Sequence, residues 1–113
     1  MLTVLLGASA VYVVAEPVDL RKSIDGLALA VESRLGASPL SGTVFVFFNR
    51  GGDKVKLLWW DRHGFWLAYK RLEQGRFRRP LTASISRSEL LLMLEGVDLS
   101  VRRFREVRAG RVS

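Results

Sequence analysis

Residues 43–71 read TVFVFFNRGGDKVKLLWWDRHGFWLAYKR, and this stretch decides the fold. Three runs of β-branched and aromatic residues, at 43–48, 54–61 and 65–71, have the composition of β-strands. The two segments between them, 49–53 and 62–64, are rich in residues that tolerate turns. Loops this short can only join antiparallel neighbours, so the sequence predicts an antiparallel β-meander.

The lengths of the two turns predict how the strands pair. A five-residue turn pairs Phe48 with Lys54, and a three-residue turn pairs Asp61 with Phe65. Side chains alternate between the faces of a sheet, so this register gives two apolar faces. One face then carries Phe45, Phe47, Val55, Leu57, Trp59, Phe65, Leu67 and Tyr69. The other carries Val44, Val46, Phe48, Leu58, Trp60, Trp66 and Ala68, with Lys54, Lys56 and Lys70.

Two apolar faces need two covers, or one cover and one partner. We expect two helices to supply them, with Trp60 and Trp66 packed beneath one helix. The alternative for these two residues is a stacking platform for bases, with the neighbouring lysines on phosphates.

The flanking segments supply the two helices. A strand is predicted at 11–15, and Pro17 prevents it from continuing. An apolar stripe of helical period then predicts a helix over 20–35, with Asp19 as its cap and Gly36 after its end. Ser86 and Glu89 predict a capping box at the start of a second helix that ends near Gly96. A short further segment is expected near Phe77.

These elements indicate an α+β fold of order β-α-β-β-β-α. Residues 1–98 form a single α+β domain, and residues 99–113 form a basic C-terminal arm that is either a frayed helix or disordered. The first fifteen residues are uncharged, and no Lys or Arg precedes their apolar run, so we do not expect a signal peptide.

Charge points to a polyanionic partner. The 113 residues carry a net charge of +7, and residues 50–113 hold fifteen basic and seven acidic side chains. Such an excess favours nucleic acid first and an anionic membrane surface second, although surface charge also serves solubility. The absence of cysteine fits a reducing cytoplasm.

Groups for catalysis are not placed together by the sequence. His63 is the only histidine, and without cysteine it cannot build a zinc site. Asp53 and Asp61 lie at opposite ends of one strand, about 25 Å apart, and cannot share a metal ion. We therefore predict a protein that is not an enzyme and has no metal or cofactor.

Several linked motifs resemble a known family. Residues 17–27 (PVDLRKSIDGL) resemble its Asp-Met/Leu-Arg-x-x-x-Asp-Gly-Leu signature, and residues 41–47 (SGTVFVF) its first meander strand. Residues 53–65 (DKVKLLWWDRHGF) and 69–77 (YKRLEQGRF) are similar to its Trp-Asp-x-x-Gly and Lys-Arg-Leu-Glu-x-Gly motifs, and residues 91–98 also match. The family is that of the TnpB accessory proteins, the second-open-reading-frame products of the insertion-sequence family numbered sixty-six.

The resemblance implies a non-catalytic role in bacterial DNA transposition, beside a larger transposase and a second accessory protein. It supplies no catalytic residues. The motif positions fit structural or interaction roles, and Arg21 and Asp25 are spaced to pair on one helix. These positions are Asp19, Arg21, Asp25, Gly26, Trp60, Asp61, Gly64 and Gly75.

We expect the basic second half to contact DNA at the transposon ends, the transposase, or both. The predicted phosphate-binding residues are Lys54, Lys56, Lys70, Arg71, Arg76, Arg78 and Arg79, supported by Arg102, Arg103, Arg105, Arg108 and Arg111. Three alternatives stay open: a pure protein-interaction subunit, a double-stranded-RNA module and a metal-dependent nuclease. No membrane partner is expected, and the oligomeric state is left open.

Overall fold

A computed structural model describes residue 8 and residues 10–96 of the chain. Within these residues seven elements follow one another: β1 (Val11–Val13), α1 (Ile24–Leu35), β2 (Val44–Phe48), β3 (Lys54–Asp61), β4 (Gly64–Arg71), β5 (Ser84–Ile85) and α2 (Arg87–Leu94). The predicted α+β class and the order β-α-β-β-β-α are confirmed, with β5 as a short addition. Phe77 is buried outside any strand. The predicted boundary at residue 98 and the arm 99–113 lie outside the described residues.

The sheet has the order β4-β3-β2-β1-β5. Strands β2, β3 and β4 form the predicted antiparallel meander. Strand β1 lies parallel to β2, because the chain returns through α1 before it enters β2, and β5 is antiparallel to β1. The sheet is therefore mixed, and the prediction of a purely antiparallel meander holds only for β2 to β4.

The predicted hairpin registers are wrong by one residue. Asp61 pairs with Gly64 rather than Phe65, so the β3–β4 turn contains two residues. Its first residue, Arg62, has a φ of 58°, which lets the backbone reverse within two residues, as in the tight hairpin turns. In the β2–β3 hairpin Phe48 pairs with Val55 rather than Lys54.

The slip in register exchanges the faces of some residues. Trp59 pairs with Trp66 on one face of the sheet, and their stacked rings have centroids 6.0 Å apart. Trp60 pairs with Phe65 on the other face. The prediction that Trp60 and Trp66 share a face is therefore wrong, because a shift of one residue moves a side chain across the sheet.

Both faces of the sheet are covered by a helix, as predicted. The α1 face packs Phe45, Phe47 and Leu58 against Leu27 and Val31. The α2 face is the larger cluster, and its fully buried members include Val44, Val46, Phe48, Val55, Leu90 and Met93. Two separate apolar clusters therefore hold the domain together, one on each side of the sheet.

The helix ends are only partly as predicted. Gly36 has a φ of 61° and ends α1, and the capping box of Ser86 and Glu89 begins α2. Helix α1 begins at Ile24, and its cap residue Ser23 makes no side-chain cap bond. The prediction that Asp19 caps this helix is wrong, because the Asp19 carboxylate accepts the Arg21 backbone N–H within a preceding turn.

Candidate nucleic-acid interface

Three chain segments meet at one end of the sheet, and we call them together the basic end: residues 16–22, 49–56 and 69–80. The Val18 N–H donates to the Phe48 carbonyl at 2.9 Å, and the Leu72 N–H donates to the Asp53 carbonyl at 2.8 Å. Topology explains the meeting. The chain leaves β1, β2 and β4 at this end and enters β3 there, so their flanking loops become neighbours.

Charge is concentrated at the basic end. Its three segments carry ten basic and four acidic side chains, whereas the other described residues carry three basic and five acidic. The sequence located the excess in the second half of the chain. The fold adds Arg21 and Lys22 from the first half, which no feature of the sequence places beside residues 50–80.

Three of the predicted phosphate-binding residues make hydrogen bonds that hold the fold. The Lys56 ammonium donates to the Lys22 carbonyl at 2.9 Å, ahead of α1. The Lys70 ammonium donates to the Leu94 carbonyl at 2.6 Å, at the end of α2. The Arg79 guanidinium donates to the carbonyls of Ala15 and Asn49 and lies 5.3 Å from the ring centroid of Phe48.

These three cations satisfy carbonyl groups at the ends of elements, where intrahelical or ladder partners are missing. The three lysines of the hairpin lie on different faces of the sheet: Lys54 and Lys56 lie on the α1 face, whereas Lys70 lies on the α2 face. The prediction that the three lysines share one face is wrong, for the same one-residue slip.

Two further predicted cations have acidic neighbours. The Arg71 guanidinium pairs with Glu73 at 2.9 Å, and the Lys54 ammonium lies 3.5 Å from an Asp53 oxygen. The hydrogen bond from the Asn49 side chain is the main cause that lowers the pKa of Asp53, so this carboxylate stays charged next to Lys54. The Arg71–Glu73 pair is exposed and the Lys54–Asp53 pair is half-buried and long, so both contribute little to stability.

Three arginines of the basic end have no hydrogen bond or ion pair to another part of the described chain. Arg76 and Arg78 were predicted as phosphate ligands, and Arg50 was missed. All three are exposed. The turn 49–53 carried a signal for Arg50, since this basic residue sits beside two glycines that bring the backbone within reach of a ligand.

A cleft of about 530 Å³ opens at the basic end, between segment 17–21 and the β2–β3 turn. At its rim the Asp19 carboxylate binds the Arg21 guanidinium at 2.7 Å. This bond lowers the pKa of Asp19 to about 2. The prediction that Arg21 pairs with Asp25 is wrong, because Arg21 precedes α1 and turns back to Asp19.

Comparison with known proteins gives the context of this geometry. A family model described as IS66 Orf2-like protein matches residues 9–104. The chain belongs to this IS66 Orf2-like family. It is 37% identical over 92 residues to an uncharacterized protein y4hO of Sinorhizobium fredii strain NGR234, covering 78% of this chain and 80% of the relative. It is 35% identical over 92 residues to the protein y4jC of the same strain, covering 78% and 79%. No solved structure matches the chain.

Several of the motif residues by which the chain resembled the IS66 family contact other residues of the fold or form turns. A Cβ atom at Gly26 would lie 3.1 Å from the Lys22 Cβ, so glycine allows the Lys22 stem to pack against α1. Asp61 accepts a hydrogen bond from the Trp66 indole at 2.6 Å. Gly75 has a φ of 77° and makes a turn as expected, whereas Gly64 lies in β4 and Arg62 takes the left-handed position.

The remaining predictions concern residues and features outside the basic end. Arg102, Arg103, Arg105, Arg108 and Arg111 lie beyond the described residues. Within residues 10–96, no three of the Asp, Glu and His side chains lie close enough to hold a metal ion. In the same part of the chain, neither helix has the length and apolar character needed to cross a membrane.

Proposed function

We propose that this protein is a non-catalytic accessory protein of bacterial DNA transposition that binds DNA directly through its basic end. Membership of the IS66 Orf2-like family supports the link to an insertion sequence. The observation that carries the DNA proposal is the gathering of ten basic and four acidic side chains at one end of the sheet. It works in the cytoplasm beside the element's transposase and second accessory protein.

The basic end suits a phosphate backbone. Cations clustered on one surface release the counterions of DNA when they bind it, which is the main source of sequence-independent affinity. The exposed Arg50, Arg76 and Arg78 supply this contact, since binding DNA costs them no internal bond. Hydrogen bonds to backbone carbonyls from Lys56, Lys70 and Arg79 hold the loops in place, and the charges of these residues add to the positive electrostatic potential of the basic end. The arginines at 102, 103 and 105 reinforce the contact from the C-terminal arm.

A salt-dependent binding assay with matched charge reversals tests the proposal. The variant Arg50→Glu/Arg78→Glu is expected to weaken binding to element-end duplex on the order of tenfold or more. It should also reduce the slope of log affinity against log salt by about 2, one for each lost phosphate contact. Fluorescence anisotropy over a range of salt concentrations measures both quantities.

Arg34→Glu/Arg62→Glu is the matched control, because it removes the same net charge at exposed residues outside the basic end. Its affinity should fall much less. Equal losses in the two double variants would show that net charge alone attracts DNA, against a localised site. Absence of wild-type binding near physiological salt would refute direct DNA binding and favour the protein-interaction subunit. In that case DNA would be retained only with the transposase present.

A further inference from the structure

An aromatic ring lies in the cleft of the basic end. Tyr69 lines it together with Arg21, Arg50 and Lys54 and is 53% exposed. We infer that this cleft binds one unpaired nucleotide of a DNA strand, with the base against Tyr69 and the phosphate on the surrounding cations. The inference rests on the proposed DNA binding. It adds that the bound nucleotide is unpaired and that it binds in this cleft.

The sheet explains why Tyr69 is open. It lies on the α1 face of β4, directly opposite Lys56. On that face the cluster under α1 includes residues nearer the β3–β4 turn, such as Leu58 and Leu67, and does not include Tyr69. The residues of β3 and β4 on this part of the face are Lys54, Lys56, Tyr69 and Arg71.

The ring is held in position from one side. The Lys56 ammonium lies 5.6 Å from the centroid of the Tyr69 ring, and the same ammonium donates to the Lys22 carbonyl. A cation over an aromatic face is attracted to it, and here that cation is itself tied to the backbone ahead of α1. Tyr69 is thus an exposed ring with a cation on one side, and bases of any kind stack on an exposed aromatic ring.

The rim supplies a place for phosphate. Arg50 has no ion pair or hydrogen bond to other described residues, and it lines the cleft. The Arg21 guanidinium uses its Nε and one Nη2 proton on Asp19, so three of its five N–H donors stay available. Asp19 orients Arg21 and cancels one positive charge. The cleft-lining residues still carry a net charge of two, which suits a phosphate group.

The shape selects an unpaired base. The ring lies between two loops, and bases inside a duplex are stacked on one another and cannot reach it unless they leave the helix. The volume, about 530 Å³, falls within the range of sites for small ligands, about 300–1,000 Å³. A base at a strand end or in a single-stranded tail can reach the ring and is small enough for the cleft.

Three DNAs of the same duplex sequence test the inference: one blunt, one with a short thymidine tail, and one with an abasic tail of the same phosphate number. Wild-type protein should bind the thymidine tail more tightly than the abasic tail, on the order of tenfold, the effect of one stacked base. Tyr69→Leu should remove this difference, so that the thymidine and abasic tails bind with equal affinity. A 2-aminopurine base in the tail should lose fluorescence with wild-type protein and keep it with Tyr69→Leu.

Two controls isolate stacking. Tyr69→Phe keeps the ring and should behave as wild type, and Tyr12→Leu removes an exposed ring on β1, away from the cleft, and should have no effect. Equal wild-type affinity for thymidine and abasic tails would overturn the nucleotide subsite, while binding of blunt duplex would uphold the proposed function. Equal weakening of all three DNAs by Tyr69→Leu would also overturn the subsite. Failure to bind any of the DNAs would overturn both proposals.

Discussion

The β3–β4 hairpin has different chemistry at its two ends. Near the turn, which we call the turn end, aromatic rings dominate: Trp59 stacks on Trp66 at 6.0 Å, and Trp60 meets Phe65 edge-on at 5.1 Å. At the other end of the same two strands, Lys54 and Arg71 lie opposite each other. Like charges directly across a strand pair are unfavourable, whereas aromatic pairs are favourable.

This contrast separates stability from binding. The turn end stabilises the sheet through its aromatic pairs and the burial of Trp59, and the basic end accepts charge repulsion that a polyanion would relieve. The division is incomplete, because three cations of the basic end also bond to backbone carbonyls. Substitutions at the two ends should therefore differ in which property they change.

The largest expected effect is at the turn end. Trp59→Ala removes a ring that is 2% exposed and should lower the free energy of unfolding by about 3–5 kcal/mol. Urea unfolding measures the loss. DNA affinity, corrected for the folded fraction, should stay near wild type.

Trp59→Phe is the control for ring packing. It keeps an aromatic ring on Trp66 and removes an indole N–H that has no partner among the described residues, so it should cost much less. A loss in Trp59→Ala no greater than that in Trp59→Phe would contradict the role of the stacked rings.

A smaller effect distinguishes two lysines of the basic end. Lys70→Met keeps the aliphatic stem but loses the bond to the Leu94 carbonyl, and should lower the free energy of unfolding by about 1 kcal/mol. Lys54→Met loses only a long contact of 3.5 Å with Asp53 and should leave stability almost unchanged while it weakens DNA binding. Thermal unfolding and anisotropy, run on both variants, measure the two properties. The reverse pattern would show that Lys70 is the phosphate ligand.

The smallest effect concerns acid. The pKa of Asp19 is lowered from 3.8 to about 2 by Arg21, so its ion pair stabilises the fold above pH 4 and is lost as the pH falls toward 2. Asp19→Asn should be slightly less stable than wild type at pH 6, and most of this difference should be gone at pH 2. Unfolding curves at several pH values check it. A difference that stays constant with pH would mean that the carboxylate charge is irrelevant.

Local patterns predicted most of the elements. The alternating strands, the capping box of Ser86 and Glu89 and the left-handed Gly36 all depend on residues close in the chain, and the structure confirms them. The register failed because the turn geometry depends on one backbone angle, the positive φ of Arg62. A glycine at position 64 suggested a longer turn, and the errors in the two hairpins moved the side chains of β3 to the wrong faces.

The site was predicted less well than the fold. The second-half lysines and arginines were visible as an excess of charge, but the fold separates Lys56 from Lys70 and gives both a carbonyl partner. Arg21 and Lys22 join the site only because β1 and β2 are parallel, which places segment 16–22 beside the β2–β3 turn. Such long-range neighbours leave no mark on a single sequence.

Strand β1 has a consequence for the order of folding. It is three residues long and sits between β2 and β5, so its pairing with β5 joins Val11 to Ile85, near opposite ends of the described chain. Local hairpins form early, whereas contacts of high sequence separation must first close a long loop. We expect the meander to form first and β1 and β5 to join last. The bond from Arg79 to the Ala15 carbonyl, just past β1, forms in that final step. A nascent or partly unfolded chain would thus have its hairpins before the basic end is assembled.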